Sequence, residues 1–236
     1  MGMNEARELL SSRTGPRALS FEGSIGGPST EEILAALAYA PAGLGRELLE
    51  ALWWPESGQR RREQLRQAVI SLVAPEFTRQ MHALADARTD YGIAKASMGW
   101  CGGSITEAQR RELLRTEKAL ADARAAAWPN NTMEQLGVLA GAVIAEMAGS
   151  PECSCCGGKK VLLDPRVAGV VNCVECGGSG HEPLSGRKRA AAIGADWSAY
   201  SRFWRPVYEW MLASFRAAES RAARKFNRAL SKAEWR

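Results

Sequence analysis

The sequence has few histidines and no long apolar run, and each absence excludes a class of protein. Its two histidines are His82 and His181. Neither lies in a cluster that could supply the general base and the catalytic-metal ligands of a His-Asn-His endonuclease. The chain has no run of eighteen apolar residues, which is the length that a membrane-spanning helix needs. The N-terminal residues include an early acid and no apolar segment, which predicts a cytoplasmic protein without a secretory signal and without a membrane partner.

Cysteine is scarce as well, but its placement is informative. Five of the six cysteines fall between residues 153 and 176. They include two Cys-x-x-Cys pairs, Cys153 with Cys156 and Cys173 with Cys176, separated by sixteen residues and each followed by two glycines. This spacing is typical of a structural zinc site with four thiolate ligands and no open position for water or substrate. We predict one structural Zn²⁺ at these cysteines rather than disulfides or free thiols, in a reducing cytoplasm.

The residues between the two pairs predict a small hairpin. The β-prone runs 160–163 and 167–171 flank the turn dipeptide Asp164-Pro165. Gly157 and Gly177 follow the pairs, and glycine tolerates the positive φ that a tight turn under the sulfur atoms requires. The hairpin would bring both pairs to one metal ion.

Two cysteines lie outside this ligand set. Cys155 could replace Cys153 in an alternative set, although Cys153 with Cys156 keeps the two-residue spacing of the second pair. Cys101 is distant in sequence and is expected to be a small buried apolar residue.

Positive charge is concentrated after the cysteines. Residues 187–236 contain twelve Lys and Arg against four Asp and Glu, a net charge of +8. Because the whole chain is +5, residues 1–186 are net −3. Such asymmetry is typical of a segment that binds nucleic acid, and an ordinary solvated helix surface is the alternative.

The sequence predicts a mainly α fold, with a helix-turn-helix and an inserted four-cysteine hairpin. Capping boxes at Ser29, Thr106 and Thr132 predict helix starts. Pro75 is expected to end one helix or begin the next, and the glycines within 99–103 predict a loop. The expected parts are a flexible arm, a helical body, a zinc module and a basic C-terminal segment, at residues 1–28, 29–150, 151–183 and 184–236.

The basic segment has the pattern of a helix-turn-helix. Residues 185–193 predict a short helix, Gly194 suits a tight turn, and a second helix extends to Phe215 with Phe203 facing the core. A recognition helix presents its N-terminal residues to the major groove, where arginine reads guanine and serine reads several bases or a phosphate. The predicted DNA contacts lie near the starts of both helices: Arg187, Lys188, Arg189, Trp197, Ser198, Ser201, Arg202 and Arg205.

The order of these parts resembles the Q antitermination proteins of lambdoid bacteriophages, of the lambda Q type. A helical region opening Ser-Thr-Glu-Glu-Ile-Leu-Ala-Ala-Leu-Ala precedes the first cysteine pair and the hairpin. The second pair belongs to a Cys-x-x-Cys-x-Gly-x-Gly motif, followed by a short helix and a Trp/Ser/Arg helix containing Arg-Pro-Val-Tyr at 205–208. The resemblance covers residues 29–230. The chain departs from it in a longer N-terminal half, a shorter hairpin and the extra Cys155.

The resemblance implies a function without enzyme chemistry. Such proteins bind double-stranded DNA near a phage late promoter in the bacterial cytoplasm and engage RNA polymerase through its flap region and sigma factor. They then suppress pausing and termination, and nascent RNA is a further candidate partner. The resemblance also implies that the four paired cysteines bind zinc and that the helices around 187–189 and 198–205 bind DNA.

Two other functions would account for part of this pattern. A zinc-containing helix-turn-helix repressor or activator would share these features and lack the polymerase contact. A co-chaperone resembling the cysteine-rich region of J-domain proteins is disfavoured, because that region has four Cys-x-x-Cys-x-Gly-x-Gly repeats and this chain has two. Lys160 also replaces the last glycine of the first repeat, and the chain has no His-Pro-Asp signature.

Overall fold

The computed structural model describes residues 35–53, 59–100, 105–149, 152–164, 169–178 and 180–233. Within these ranges the fold is mainly α, with a two-stranded antiparallel hairpin and a cluster of four cysteines, so the predicted main class is confirmed, and the helix-turn-helix stays a prediction. The predicted N-terminal arm, the Ser29 capping box and Cys101 lie outside the described residues. None of the described helices is long and apolar enough to cross a membrane.

The described elements are mostly helices, and they fall in two compact units. One unit holds Ile70–Leu136, and the other holds the described residues up to Val69 and from Gly137 onward. In chain order the elements are α1 (Leu44–Trp53), α2 (Gln59–Trp100), α3 (Glu107–Ala126), α4 (Leu136–Gly149), β1 (Val161–Asp164), β2 (Gly169–Asn172), α5 (Gly186–Ala192), α6 (Trp197–Ala199), a π-helical turn (Tyr200–Trp204) and α7 (Arg205–Ala233).

Helix α2 continues through Pro75, so the predicted helix boundary at that residue is wrong. Proline within a helix removes one backbone hydrogen bond and costs about 3 kcal/mol. Val73 and Leu84 are buried on either side of Pro75, and their burial offsets this cost. Packing therefore decides where this helix ends, against the local preference of proline.

Helix α3 begins where the sequence predicted, but α4 does not. The Thr106 hydroxyl accepts a hydrogen bond from the Gln109 N–H at 3.3 Å, and the Gln109 side chain accepts one from the Thr106 N–H at 2.9 Å. Thr132 instead donates its hydroxyl to the Pro129 carbonyl at 2.6 Å. That bond holds a turn, and α4 starts only at Leu136, so the capping box predicted at Thr132 is wrong.

In the unit that holds the described residues up to Val69 and from Gly137 onward, α1 packs closely against α7. A Cβ at Gly45 would collide with the carbonyl oxygen of Ala218. Small side chains make this approach possible, and a buried cluster forms beside it from Ala40, Leu49, Ala222 and Ala223. The packing fixes the C-terminal half of α7 against the rest of its unit.

A π-helical turn separates α6 from α7. The N–H of Arg205 bonds to the carbonyl of Tyr200, five residues back, and Pro206 has no N–H to continue the ladder. The wider turn changes the phase of the helix, which leaves Phe203 51% exposed. The core position predicted for Phe203 is therefore wrong, and the buried face consists of Tyr200, Val207, Tyr208, Met211, Leu212 and Phe215.

Candidate metal centre and nucleic-acid interface

The four paired cysteines meet at one point in the fold. Their sulfur atoms all lie within 4.8 Å of one another, and all four residues are buried. The Sγ atoms of Cys153 and Cys173 are 3.9 Å apart, and those of Cys156 and Cys176 are 3.8 Å apart. Disulfide sulfurs would be separated by about 2.05 Å, so the thiols are free. Cys155 is exposed and outside the cluster, and the remaining four cysteines could together hold one metal ion.

The two cysteine pairs sit on turns of the same design. Gly157 and Gly177 have φ values of +52° and +59°, as the sequence predicted. Gly180 ends the second turn at φ +82°, and Lys160 ends the first at φ +70°. Lys160 stands where the repeat has its last glycine, so the backbone at this lysine adopts a conformation that L side chains disfavour. The requirements of the turn override the local preference of this residue.

Backbone groups around the second pair favour its thiolates. Burial opposes ionisation of Cys176, but hydrogen bonds from the N–H groups of Gly180 and Gly178 outweigh it and lower the pKa of Cys176 to about 6. A hydrogen bond from the Cys176 backbone lowers the pKa of Cys173. Burial instead raises the pKa of Cys156 to about 11. Since metal ligands must be thiolates, a metal ion that binds here displaces a proton from Cys156.

The hairpin has one face toward the cysteines and one toward solvent. Leu162 packs against the cysteine cluster. Leu163 and Val170 pair across the strands on the opposite face and are 83% and 64% exposed. The hairpin therefore presents an apolar surface on the side away from the metal ligands.

A buried ion pair joins α4 to α5. The Nη2 and Nε atoms of Arg189 donate to the two carboxylate oxygens of Glu146 at 2.7 and 2.9 Å. The side chains are 11% and 1% exposed. Burial opposes the charge on the guanidinium, but the hydrogen bonds and charge of Glu146 outweigh burial and raise the pKa of Arg189. Arg189 is therefore an internal ion-pair partner, which corrects its assignment to the DNA interface.

Helix α7 supplies the other polar groups of this cluster. The Tyr208 hydroxyl donates to Glu146 at 3.0 Å and also lies 3.2 Å from the Ala142 carbonyl oxygen. Burial and the Glu146 carboxylate raise the pKa of Tyr208. The Arg189 guanidinium lies 5.3 Å from the centre of the Tyr208 ring. The cluster thus ties the helix before the cysteine module to two helices after it, and a glutamate in the otherwise apolar α4 was the sequence signal for it.

Helices α5 and α6 meet at their N-terminal ends. Residues 193–196 join them, with Gly194 at φ +67°. A Cβ on Gly186, the first residue of α5, would lie 2.5 Å from the ring of Trp197, the first residue of α6. The Ser185 and Asp196 side chains cap the two helices. We call this pair, from Gly186 to Trp204, the basic helix pair.

The other predicted DNA contacts all lie at the surface. The Arg205 side chain pairs with Glu209 at 2.9 Å, and the Arg202 guanidinium lies 5.3 Å from the centre of the Phe203 ring. The Trp197 ring stacks on Tyr200. The exposed residues of the predicted set are Arg187, Lys188, Trp197, Ser198, Ser201, Arg202 and Arg205.

Comparison of the chain with protein-family models, with curated proteins and with solved structures gave no match.

Proposed function

We propose that the four-cysteine cluster binds one zinc ion. Zinc–sulfur bonds of about 2.3 Å place the sulfurs of a tetrahedral site about 3.8 Å apart, and two of the sulfur pairs are separated by 3.9 and 3.8 Å. Four thiolates complete the coordination shell, so the ion would supply structural stability and no catalytic position. Its place between α4 and α5 supports a role in holding the basic helix pair.

We further propose that the basic helix pair binds double-stranded DNA. The observation that carries this proposal is that the basic residues of α5 differ in their surroundings. Arg189 is anchored to Glu146, while its neighbours Arg187 and Lys188 remain exposed beside the N-terminal end of α6. Exposed cations and hydroxyls at joined helix N-termini suit phosphate contact and base reading. Because of the π-helical turn, the second helix is wider than a regular α-helix at residues 200–204, and its fit to the major groove differs accordingly.

The cellular role that we propose is transcription antitermination at a phage late promoter. The resemblance to Q antitermination proteins supports it, and this role requires contact with bacterial RNA polymerase. The exposed apolar face of the hairpin, at Leu163 and Val170, supports the hairpin as the polymerase-binding surface. A transcriptional repressor or activator remains the alternative, because it would use the same DNA interface without the polymerase contact.

Truncating Arg202 will weaken specific DNA binding. If this side chain reads a guanine bidentately, Arg202→Ala will cost about 1–3 kcal/mol. The measurement is fluorescence anisotropy with a duplex selected by the native protein from a random pool. Arg124→Ala, an exposed arginine on α3, is the matched control and should bind as the native protein does. Equal affinities for the two variants would move the DNA interface away from the basic helix pair.

The antitermination proposal predicts read-through of a strong terminator in vitro. The template carries the selected DNA site near a promoter and a terminator downstream, with bacterial RNA polymerase holoenzyme. Adding the protein should raise the fraction of full-length transcript without lowering the number of initiated chains. Loss of initiated chains would identify a repressor, and more initiation with unchanged termination would identify an activator.

A further inference from the structure

We propose that a second surface of the protein, on α7, binds the phosphate backbone of nucleic acid. The surface consists of Arg221, Arg224, Lys225 and Arg228, all of which are exposed. We call it the α7 basic face. It goes beyond the proposed function because it is separate from the basic helix pair, and it shares with that proposal only the class of partner.

The first observation is that three of the four cations, Arg221, Arg224 and Lys225, have no acidic partner among the described residues. Between residues 210 and 233 the chain has one acidic residue, Glu219, and that residue is buried. Among the described residues, Arg221, Arg224 and Lys225 form no ion pair. Six helical arginines elsewhere in the described residues pair with a carboxylate three or four positions away: Arg46, Arg66, Arg79, Arg111, Arg115 and Arg205.

The second observation is the spacing of the four cations. Positions separated by three, four and seven residues lie on one side of an α-helix. At about 1.5 Å per residue, Arg221 to Arg228 covers about 10 Å of the helix axis. One strand of B-DNA carries a phosphate about every 3.4 Å along its axis, so a face of this length can lie beside about three phosphates.

The third observation is that the apolar side of this part of α7 is already covered. Ala222 and Ala223 are buried with Leu49 of α1, and Phe226 is also buried. A helix that binds a membrane surface must insert its apolar side into the lipid, and that side is occupied here. Three of the four cations are arginines, whose planar donors match phosphate oxygens in pairs. These features favour a phosphate backbone over a lipid surface.

The α7 basic face is also distant from the basic helix pair. Arg205 is the residue directly after the basic helix pair, and Arg221 follows it by sixteen residues. That separation corresponds to about 24 Å along the helix and about 160° around its axis. The two surfaces therefore contact different stretches of phosphate backbone. They can act on one nucleic acid that wraps around α7, or on two separate molecules.

The test is a charge-matched pair of triple variants in the full-length protein. Arg221→Gln/Arg224→Gln/Lys225→Gln removes three charges from the α7 basic face. Arg110→Gln/Lys118→Gln/Arg124→Gln removes two arginines and one lysine from the exposed surface of α3. Affinity is measured by fluorescence anisotropy from 50 to 300 mM salt, with a random-sequence 30-base-pair DNA duplex and with a 30-nucleotide poly(U) RNA.

We expect the α7 variant to lose at least tenfold in affinity for one of these probes at 100 mM salt. Its plot of log affinity against log salt should become shallower by about 2–3, because each lost contact removes about 0.7–0.9 from the slope. Probe preference distinguishes the sources of phosphate, since a loss confined to poly(U) identifies single-stranded RNA. Equal nucleic-acid affinities of the α7 and α3 variants would overturn the proposal. It would also be overturned if the α7 variant kept its affinity for both nucleic acids and lost only its binding to phosphatidylserine vesicles.

A third variant separates this proposal from the proposed function. Arg187→Gln/Lys188→Gln/Arg202→Gln removes three charges from the basic helix pair. If that variant binds duplex as the native protein does while the α7 variant does not, the DNA role of the helix pair fails and the α7 basic face stands. If the helix-pair variant alone loses affinity, the α7 proposal fails.

Discussion

Cys173→Ser will release the metal ion and unfold residues 152–181. Cys173 is fully buried, and its sulfur is one of the four that surround the proposed zinc site. Structural zinc supplies about 10–16 kcal/mol to small zinc-binding peptides at neutral pH, which is more than the net stability of most domains. The cysteine module should therefore lose its amide protection against hydrogen exchange, and the protein should contain no zinc by atomic emission.

Cys155→Ser is the matched control, because Cys155 is an exposed cysteine that directly precedes Cys156 and lies outside the four-cysteine cluster. It should retain one zinc ion per chain and native hydrogen exchange. Loss of zinc from Cys155→Ser, with zinc retained by Cys153→Ser, would mean that Cys155 is the ligand in place of Cys153. A Cys173→Ser protein with normal protection would remove the metal from the structural account altogether.

Zinc retention should also depend on pH in a defined direction. The pKa of Cys176 lies near 6, below the usual thiol value, so this residue is ionised at neutral pH and becomes protonated as the pH falls through about 6. The stabilisation from its thiolate is therefore complete above the ordinary thiol pKa of about 9 and is lost as the pH falls toward about 6. Competition with a chelator should release zinc more readily at pH 5.5 than at pH 7.5.

Glu146→Gln will destabilise the unit that contains α4, α5 and α7. The substitution keeps the shape of the side chain but leaves Arg189 charged and buried, with the half-exposed Glu209 carboxylate, 3.8 Å from its Nη1 atom, as its remaining ion-pair partner among the described residues. Removing one partner of a buried ion pair costs about 3–5 kcal/mol. The measurement is the free energy of unfolding from urea denaturation followed by circular dichroism.

Two further variants test the assignment of this effect to the ion pair. Glu112→Gln removes a carboxylate whose partner, Arg115, is at the surface, and exposed pairs contribute about 0–1 kcal/mol. Glu146→Leu/Arg189→Met removes both charges, and should recover most of the stability because paired apolar replacements are often neutral. A cost below about 1 kcal/mol for Glu146→Gln would show that water reaches the pair.

The cysteine cluster was predictable because its chemistry depends on local spacing. The two Cys-x-x-Cys pairs, the glycines after them and the β-prone runs between them all lie within about thirty residues, and each has a direct structural meaning. The capping box at Thr106 was predictable for the same reason. In both cases the residues that determine the structure are neighbours in the chain.

The predictions that failed are those in which the structure depends on more than the local sequence pattern. Arg189 lies in a basic segment, and its partner is 43 positions earlier, so no local pattern could distinguish it from Arg187 and Lys188. Phe203 matched the α-helical period, but the π-helical turn before Pro206 changed the phase of the helix. At Pro75, buried residues on both sides carried α2 past a residue that usually ends a helix.

Glu152 and His181 form an isolated antiparallel β-bridge at the two ends of the cysteine module. This bridge has a consequence for how the protein could have diversified. Because these residues pair across the base of the cysteine module, the polypeptide leaves the helical body and returns to it at neighbouring points. Lengthening or shortening the hairpin then changes the reach of the module without altering the distance that α4 and α5 must span. Changes at the tip of the hairpin therefore need not alter the packing of the helices that carry the module.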